Sequence, residues 1–205
     1  MKDIIIKNDE YREIGTGCER LIRQIFMDNL KLNESDVKWS YQIENLNGKK
    51  GTLYLDARIV IKDVKNKSAA QRLHNWKLTA SSLLGIPAPV ADVIKGLVFE
   101  IRQGYKSKDS KRQNADIANA SNAYANGYLP CLMVMSSQID EDIVNRYRQA
   151  KWLILKGLTN TSEYSFTFDF CKEVIGFDLA AFMCDNQEYF RCEILSVLDA
   201  LMRAE

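Results

Sequence analysis

The chain is predicted to be an α/β protein, a single domain with a mixed central β-sheet flanked by helices. Its 205 residues suit one domain. Hydrophobic residues make up 46% of the chain and charged residues 27%, which is enough to build a core. Segments with the two-residue period of strands lie between segments with helical spacing, and this order predicts helices packed against a sheet.

The first hundred residues are predicted to contain two long helices and a hairpin. Apolar residues recur with helical spacing from about Tyr11 to Leu30. Two strands, Lys38–Ile43 and Thr52–Lys62, flank the turn residues Asn45–Gly48 and are expected to pair. The segment between Lys67 and Gly85 is predicted to be the second helix.

The middle of the chain is predicted to be strand, helix and buried strand. Leu97–Arg102 alternates as a strand does, and Ser110 can cap a helix that Gly127 closes. The continuous apolar run Tyr128–Met135 indicates a strand buried on both faces. The four strands predicted so far are expected to belong to one sheet of about five strands.

A helix at Asp140–Lys151 and a short strand at Trp152–Leu155 are predicted to complete a core of about residues 50–157. Residues from about 160 to 205 form an aromatic-rich, mostly helical tail. The last helix, Gln187–Met202, has a broad apolar face that suits either core packing or a homodimer surface.

Composition excludes several classes of protein. The five cysteines include no C-x-x-C pair, which favours buried free thiols and a cytoplasmic location. The single histidine, His74, cannot build a zinc site alone, and no phosphate-binding glycine loop is present. No apolar run approaches the roughly 20 residues that span a membrane. A net charge of +1 means that any nucleic-acid contact must come from local clusters.

Candidate functional residues are concentrated between Ala91 and Arg112. Asp92 precedes a Lys95-Gly96 turn, and a hairpin there is expected to bring its carboxylate to Glu100. Glu100 and Arg102 share one strand face because side chains alternate. A cationic group follows at once: Lys106, Lys108, Lys111 and Arg112.

Two carboxylates beside a cationic group suit a divalent metal bound next to a phosphodiester. Mg²⁺ keeps several waters and accepts phosphate oxygens as well as carboxylates. Asp56 is the alternative first ligand, because it lies within a strand where an unpaired acid would be costly. Arg58, on the same strand face, is a possible partner for Asp56. Asp92 is preferred because only a hairpin separates it from Glu100.

The segment resembles the PD-(D/E)XK nuclease superfamily, and within it the type II restriction endonucleases. In that family an acid precedes a turn, and the next strand carries E-x-K. Asp92 matches the first acid and Glu100 the second, while Arg102 stands where lysine is usual. The resemblance covers about residues 50–157 and implies the core order strand, strand, helix, buried strand. A helix acid sometimes joins the metal site in this family, which makes Glu19 a weak candidate.

The resemblance implies a Mg²⁺-dependent endodeoxyribonuclease of restriction type that cuts double-stranded DNA as a homodimer. Asp92 and Glu100 would bind the metal, and Arg102, with Lys106 as a second candidate, would contact the scissile phosphate. The alternatives are a repair or junction nuclease of the same superfamily and a non-catalytic DNA-binding protein on a decayed nuclease fold. Residues expected to contact DNA are Lys108, Lys111, Arg112 and Asn114.

Overall fold

Helices pack on both faces of a mixed β-sheet in the computed structural model, which describes residues 8–44, 50–104, 110–158 and 166–203. The strands within these ranges form one sheet of four and one of two. They are β1 (Trp39–Glu44), β2 (Lys50–Leu55), β3 (Ala57–Val60), β4 (Gly96–Arg102), β5 (Tyr128–Val134) and β6 (Leu153–Leu155).

The larger sheet has the order β3-β4-β5-β6, with β3 antiparallel to β4 and the last three strands parallel. The predicted α/β class and mixed sheet are confirmed. The expected five-stranded sheet is wrong, because Thr52–Lys62 is not one strand. The backbone bends at Asp56, so that β2 pairs with β1 and β3 pairs with β4.

The helices follow the predicted order, with two short additions, one at Glu34–Val37 ahead of β1 and one at Ala88–Val93, after Pro87 and ahead of β4. The helices are α1 (Asn8–Leu30), α2 (Glu34–Val37), α3 (Lys67–Leu83), α4 (Ala88–Val93), α5 (Ser110–Ala125), α6 (Glu141–Gln149), α7 (Thr167–Asp169), α8 (Leu179–Asp185) and α9 (Gln187–Arg203), with a π-helix at Phe170–Ile175.

The two faces of β4 build two separate hydrophobic cores. Phe99 packs with Phe26 of α1, their ring centroids 5.1 Å apart, in a core shared with α3 and the π-helix. Val98 points the other way, into a core with Trp152 and residues of α5 and α6. Because side chains alternate along a strand, Glu100 lies on the same face as Val98, toward α5 and α6.

The carboxy-terminal residues are helical, as predicted. Thr167 anchors their start, because its hydroxyl donates to the carbonyl of Val134 at 2.7 Å. The last helix, α9, exposes much of its apolar face, with Ile194 60% and Met202 61% exposed. No helix within the described ranges is both long enough and apolar enough to cross a membrane.

The expectation that the cysteines are buried holds for two of them and is wrong for two others. Cys131 and Cys171 are buried, whereas Cys184 and Cys192 lie exposed on α8 and α9. Burial raises the pKa of the Cys171 thiol to about 12, so it carries almost no thiolate at neutral pH.

We therefore expect a thiol reagent such as Ellman's reagent to modify Cys184 and Cys192 quickly in the folded protein. Cys131 and Cys171 should react only after unfolding, because the thiolate is the reactive form. Mass spectrometry of peptides from native and denatured samples distinguishes the sites. Fast labelling of Cys171 in the native protein would contradict the burial described above.

Candidate active site

Glu100 and Arg102 lie near the carboxyl end of β4, on the face covered by α5 and α6. The Glu100 side chain is buried, with only 6% of the residue exposed. A buried carboxylate is costly unless a cation or hydrogen-bond donors compensate it. Arg102 supplies that compensation through an ion pair between its guanidinium and the Glu100 carboxylate.

Asp56 joins these residues from the neighbouring strand. The bend between β2 and β3 interrupts backbone pairing with β4, and the Asp56 side chain replaces it: Oδ2 accepts a hydrogen bond from the Ile101 backbone N–H at 2.7 Å. The Asp56 backbone N–H donates to the Phe99 carbonyl at 2.9 Å. The two bonded residues, Phe99 and Ile101, are the neighbours of Glu100 in β4, so Asp56 lies opposite Glu100 at the bend between β2 and β3.

Asp116 is a third acid at this position, and the sequence analysis did not identify it. It lies on α5, 4% exposed, with its carboxylate 3.8 Å from the Arg102 guanidinium. The Tyr147 hydroxyl donates to it at 2.5 Å, and the Trp152 indole donates to its backbone carbonyl at 3.2 Å. Helical spacing was the sequence signal that could have identified Asp116. It lies four residues before Ala120, so both share one face of α5, and Ala120 is buried.

The electrostatics of the site follow from three acids near two arginines, Arg102 and Arg23. Burial raises the pKa of the Asp56 carboxyl, against the opposing effects of the Ile101 N–H and the charges of the two arginines. Burial also raises the pKa of the Tyr41 hydroxyl, and the charges of Glu100 and Asp116 add to the shift. The acids outnumber the arginines at this position, which favours binding of a further cation when the acids are ionised.

Asp56 and Glu100 fit a magnesium ion that also takes oxygen atoms from substrate and water. Mg²⁺ is commonly held by one or two carboxylates together with phosphate oxygens. Among the described residues, no group of three or more Asp, Glu, His or Cys side chains is arranged to hold a metal ion. Arg102 lies between Glu100 and Asp116, so the three acids do not converge on one point.

The structure does not bring Asp92 to Glu100. The hairpin expected at Lys95-Gly96 is absent, because Asp92 lies in α4 and no strand precedes the turn to pair with β4. Asp92 is exposed and precedes the first residue of β4, while Glu100 lies four residues, about 13 Å, further along that strand. Arg58, a possible partner for Asp56, instead donates to the backbone carbonyl of Asp36 at 3.1 Å.

The predicted DNA-binding residues lie before and within the first turns of α5 in the sequence. Lys106 and Lys108 lie outside the described residues, as do the side chains of Lys111 and Arg112 in the first turn of α5. Asn114 is exposed and accepts a hydrogen bond from the Arg146 guanidinium at 2.5 Å.

Glu19, the weak metal candidate, lies on α1. It is half-buried and one helical turn before Arg23. The Arg23 guanidinium donates to the backbone carbonyl of Asp56 at 2.8 Å, so α1 does reach the site, through a cation rather than through Glu19.

Comparisons with protein-family models, with curated proteins and with solved structures find no match for this chain.

Proposed function

We propose that this protein is a Mg²⁺-dependent endodeoxyribonuclease that hydrolyses phosphodiester bonds in double-stranded DNA, of the type II restriction class. The observation that carries the proposal is the hydrogen bond from the Ile101 N–H to Asp56. It puts a second acid beside the Glu100-x-Arg102 strand, which is the pairing that the PD-(D/E)XK resemblance requires. Asp56 thereby takes the place that the sequence alone favoured for Asp92.

The order of the core elements supports the same proposal. The resemblance implies two strands, a helix and a buried strand. The chain has β3 antiparallel to β4, then α5, then β5 parallel to β4 and buried at every residue. The segment with α3 and α4 is then an insertion between the two strands that carry the acids.

In this proposal Asp56 and Glu100 hold Mg²⁺. When bound, the metal would supply an activated water molecule and a positive charge beside the scissile phosphate. The protein contributes one carboxylate from β4, which both hydrophobic cores cover, and one from the bend at Asp56, which is fixed by hydrogen bonds to the backbone of β4.

Arg102 is proposed to contact the scissile phosphate, with Lys106 as the second candidate. A guanidinium stays protonated, so Arg102 can stabilise charge on the phosphate but cannot act as a general base. The proton of the attacking water would then pass to solvent or to the phosphate.

The basic residues before and within the start of α5 are proposed to hold the DNA backbone. Changing Lys108, Lys111 and Arg112 together to alanine should reduce the slope of log affinity against log salt concentration by up to about three, because each phosphate contact releases counterions. Fluorescence anisotropy with a short duplex in Ca²⁺ measures this slope. An unchanged slope would remove these residues from the DNA interface.

The exposed apolar face of α9 is the surface that we propose for a homodimer. Two copies related by a twofold axis can bury the same face against each other and can place two active sites on a palindromic duplex. The side chains that would be covered are Ile194, Leu195, Leu198 and Met202.

A non-catalytic DNA-binding protein on a decayed nuclease fold is the second candidate. The observation that favours it is the ion pair between Arg102 and Glu100, since a permanent pair would block the metal site. Incubating the purified protein with plasmid DNA and Mg²⁺ distinguishes the candidates. Discrete fragments with defined ends support the restriction enzyme, and cutting restricted to branched DNA points to a junction nuclease. Binding without cutting in Mg²⁺ or Mn²⁺ supports the decayed fold.

A further inference from the structure

Arg102 has two acidic neighbours on different elements. It pairs with Glu100 on its own strand, and its guanidinium nitrogen is 3.8 Å from the Asp116 carboxylate on α5. Its side chain is only 14% exposed. A buried guanidinium of this kind supplies the positive charge that a divalent metal would supply at Glu100.

Asp116 is held firmly in place. Its carboxylate accepts the Tyr147 hydroxyl at 2.5 Å, and its backbone carbonyl accepts the Trp152 indole at 3.2 Å. Both donors belong to buried aromatic residues of the core beneath α5 and α6. A carboxylate so fixed has a constant position, and the guanidinium of Arg102 already lies between it and Glu100.

We propose that Asp116 is a positioning residue that receives Arg102 when a divalent metal binds Glu100. The inference rests on the proposed function, because it assumes that Glu100 is a metal ligand. A divalent ion bound to Glu100 would repel the adjacent guanidinium, and this repulsion weakens the pair between Arg102 and Glu100. Arg102 therefore leaves Glu100 as the metal binds, and Asp116 stabilises it at the edge of the site, where a phosphate would lie.

This arrangement makes Arg102 a competitor of the metal. Removing Arg102 leaves the acids with one positive charge fewer, so the metal should bind more tightly. Removing the charge of Asp116 should weaken metal binding in two ways, because the metal loses an attractive charge and Arg102 loses its second partner. The second effect disappears when Arg102 is absent.

The test measures Mn²⁺ binding to the DNA-free protein by electron paramagnetic resonance of free Mn²⁺. Four proteins form a double-mutant cycle: the wild type, Arg102→Ala, Asp116→Asn and the double variant. Asparagine keeps an oxygen that can accept from Tyr147. Arg191→Ala is the matched control, because it removes one positive charge from an exposed pair on α9.

We expect Arg102→Ala to bind Mn²⁺ at least about tenfold more tightly than the wild type, because one like charge leaves the site. Arg191→Ala should bind as the wild type does. Asp116→Asn should weaken binding clearly more in the wild-type background than in the Arg102→Ala background. Circular dichroism and thermal melting identify any variant that has not folded.

Two results would overturn the inference, and they are distinguishable. Equal Mn²⁺ affinity of wild type and Arg102→Ala, or additive effects in the cycle, would overturn the role of Asp116 and leave the nuclease proposal standing. Absence of Mn²⁺ binding in all folded variants would overturn the metal site itself, and the proposed function with it.

Discussion

Asp56→Ala is expected to abolish DNA cleavage, whereas Asp92→Ala is expected to leave the cleavage rate close to that of the wild type. Asp56 is hydrogen-bonded to the residue next to Glu100, and Asp92 is exposed on α4 before β4 begins. Losing one of two carboxylates should cost several kcal/mol of metal-dependent stabilisation, or about three orders of magnitude in rate.

The measurement is the single-turnover rate of cleavage of a short duplex in Mg²⁺, with Glu100→Ala as the reference for a lost metal ligand. Asp56→Ala should resemble Glu100→Ala. If Asp92→Ala is the inactive variant instead, the first ligand would be a residue of α4, which ends before β4 begins, and the site formed by Asp56 and Glu100 would be wrong.

Asp56→Asn separates loss of activity from loss of fold. Burial raises the pKa of Asp56, so ionising this carboxyl group is less favourable in the folded protein than in the unfolded chain. Ionising Asp56 lowers the stability of the folded protein. This loss of stability is absent below the pKa of Asp56 in the unfolded chain, grows as pH rises to its pKa in the folded protein, and is complete above that pKa. Asp56→Asn should therefore melt at a higher temperature than the wild type at pH 8, while being inactive.

The stability difference between Asp56→Asn and the wild type should shrink as pH falls, because the wild-type carboxyl group then becomes neutral as well. Differential scanning calorimetry over a pH series measures it. An asparagine variant that is less stable than the wild type at pH 8 would show that the Asp56 charge stabilises the fold, which would make it a structural residue.

Arg102→Ala is expected to lose about two to three orders of magnitude in cleavage rate, because a fixed donor at the transition state has roughly this effect. Arg102→Lys should keep substantial activity, since it preserves the charge and loses only the planar geometry. The same alanine variant is expected to bind metal more tightly, so loss of rate cannot be explained by loss of metal.

Single-turnover rates at saturating Mg²⁺ measure this effect, and Lys172→Ala, which removes one positive charge from an exposed pair outside α9, is the control. If Arg102→Ala cuts DNA at the wild-type rate, another cation contacts the phosphate, and Lys106 is the first to replace. If the wild type itself binds DNA and never cuts it, Arg102 is a permanent partner of Glu100. That result would support the non-catalytic protein on a decayed nuclease fold.

The local sequence pattern was sufficient to predict β4, α5 and β5. Alternation put Glu100 and Arg102 on one face of a strand, and this depends only on the two-residue period of the backbone. Gly127, with φ of 78°, ends the turn after α5, where a residue without a side chain was expected to close the helix. The continuous apolar run of β5 likewise required burial on both faces.

The partner of Glu100 was not predictable in the same way. Short separation along the chain favoured Asp92, but α4 occupies the segment that a hairpin would have needed. Asp56 is 45 residues from Ile101, with α3 and α4 between them. Its position depends on the register of β3 on β4, which is a long-range contact that no local pattern contains.

Asp116 was likewise decided only by tertiary structure. Its spacing on α5 is that of a buried position, yet the same spacing occurs in many surface helices. Burial against Tyr147 and the approach of Arg102 arise only when α5 packs on the sheet. The sequence by itself determined which residues share a strand face and where strands and helices alternate. Packing decided which acids meet, because register and helix docking depend on contacts between distant segments.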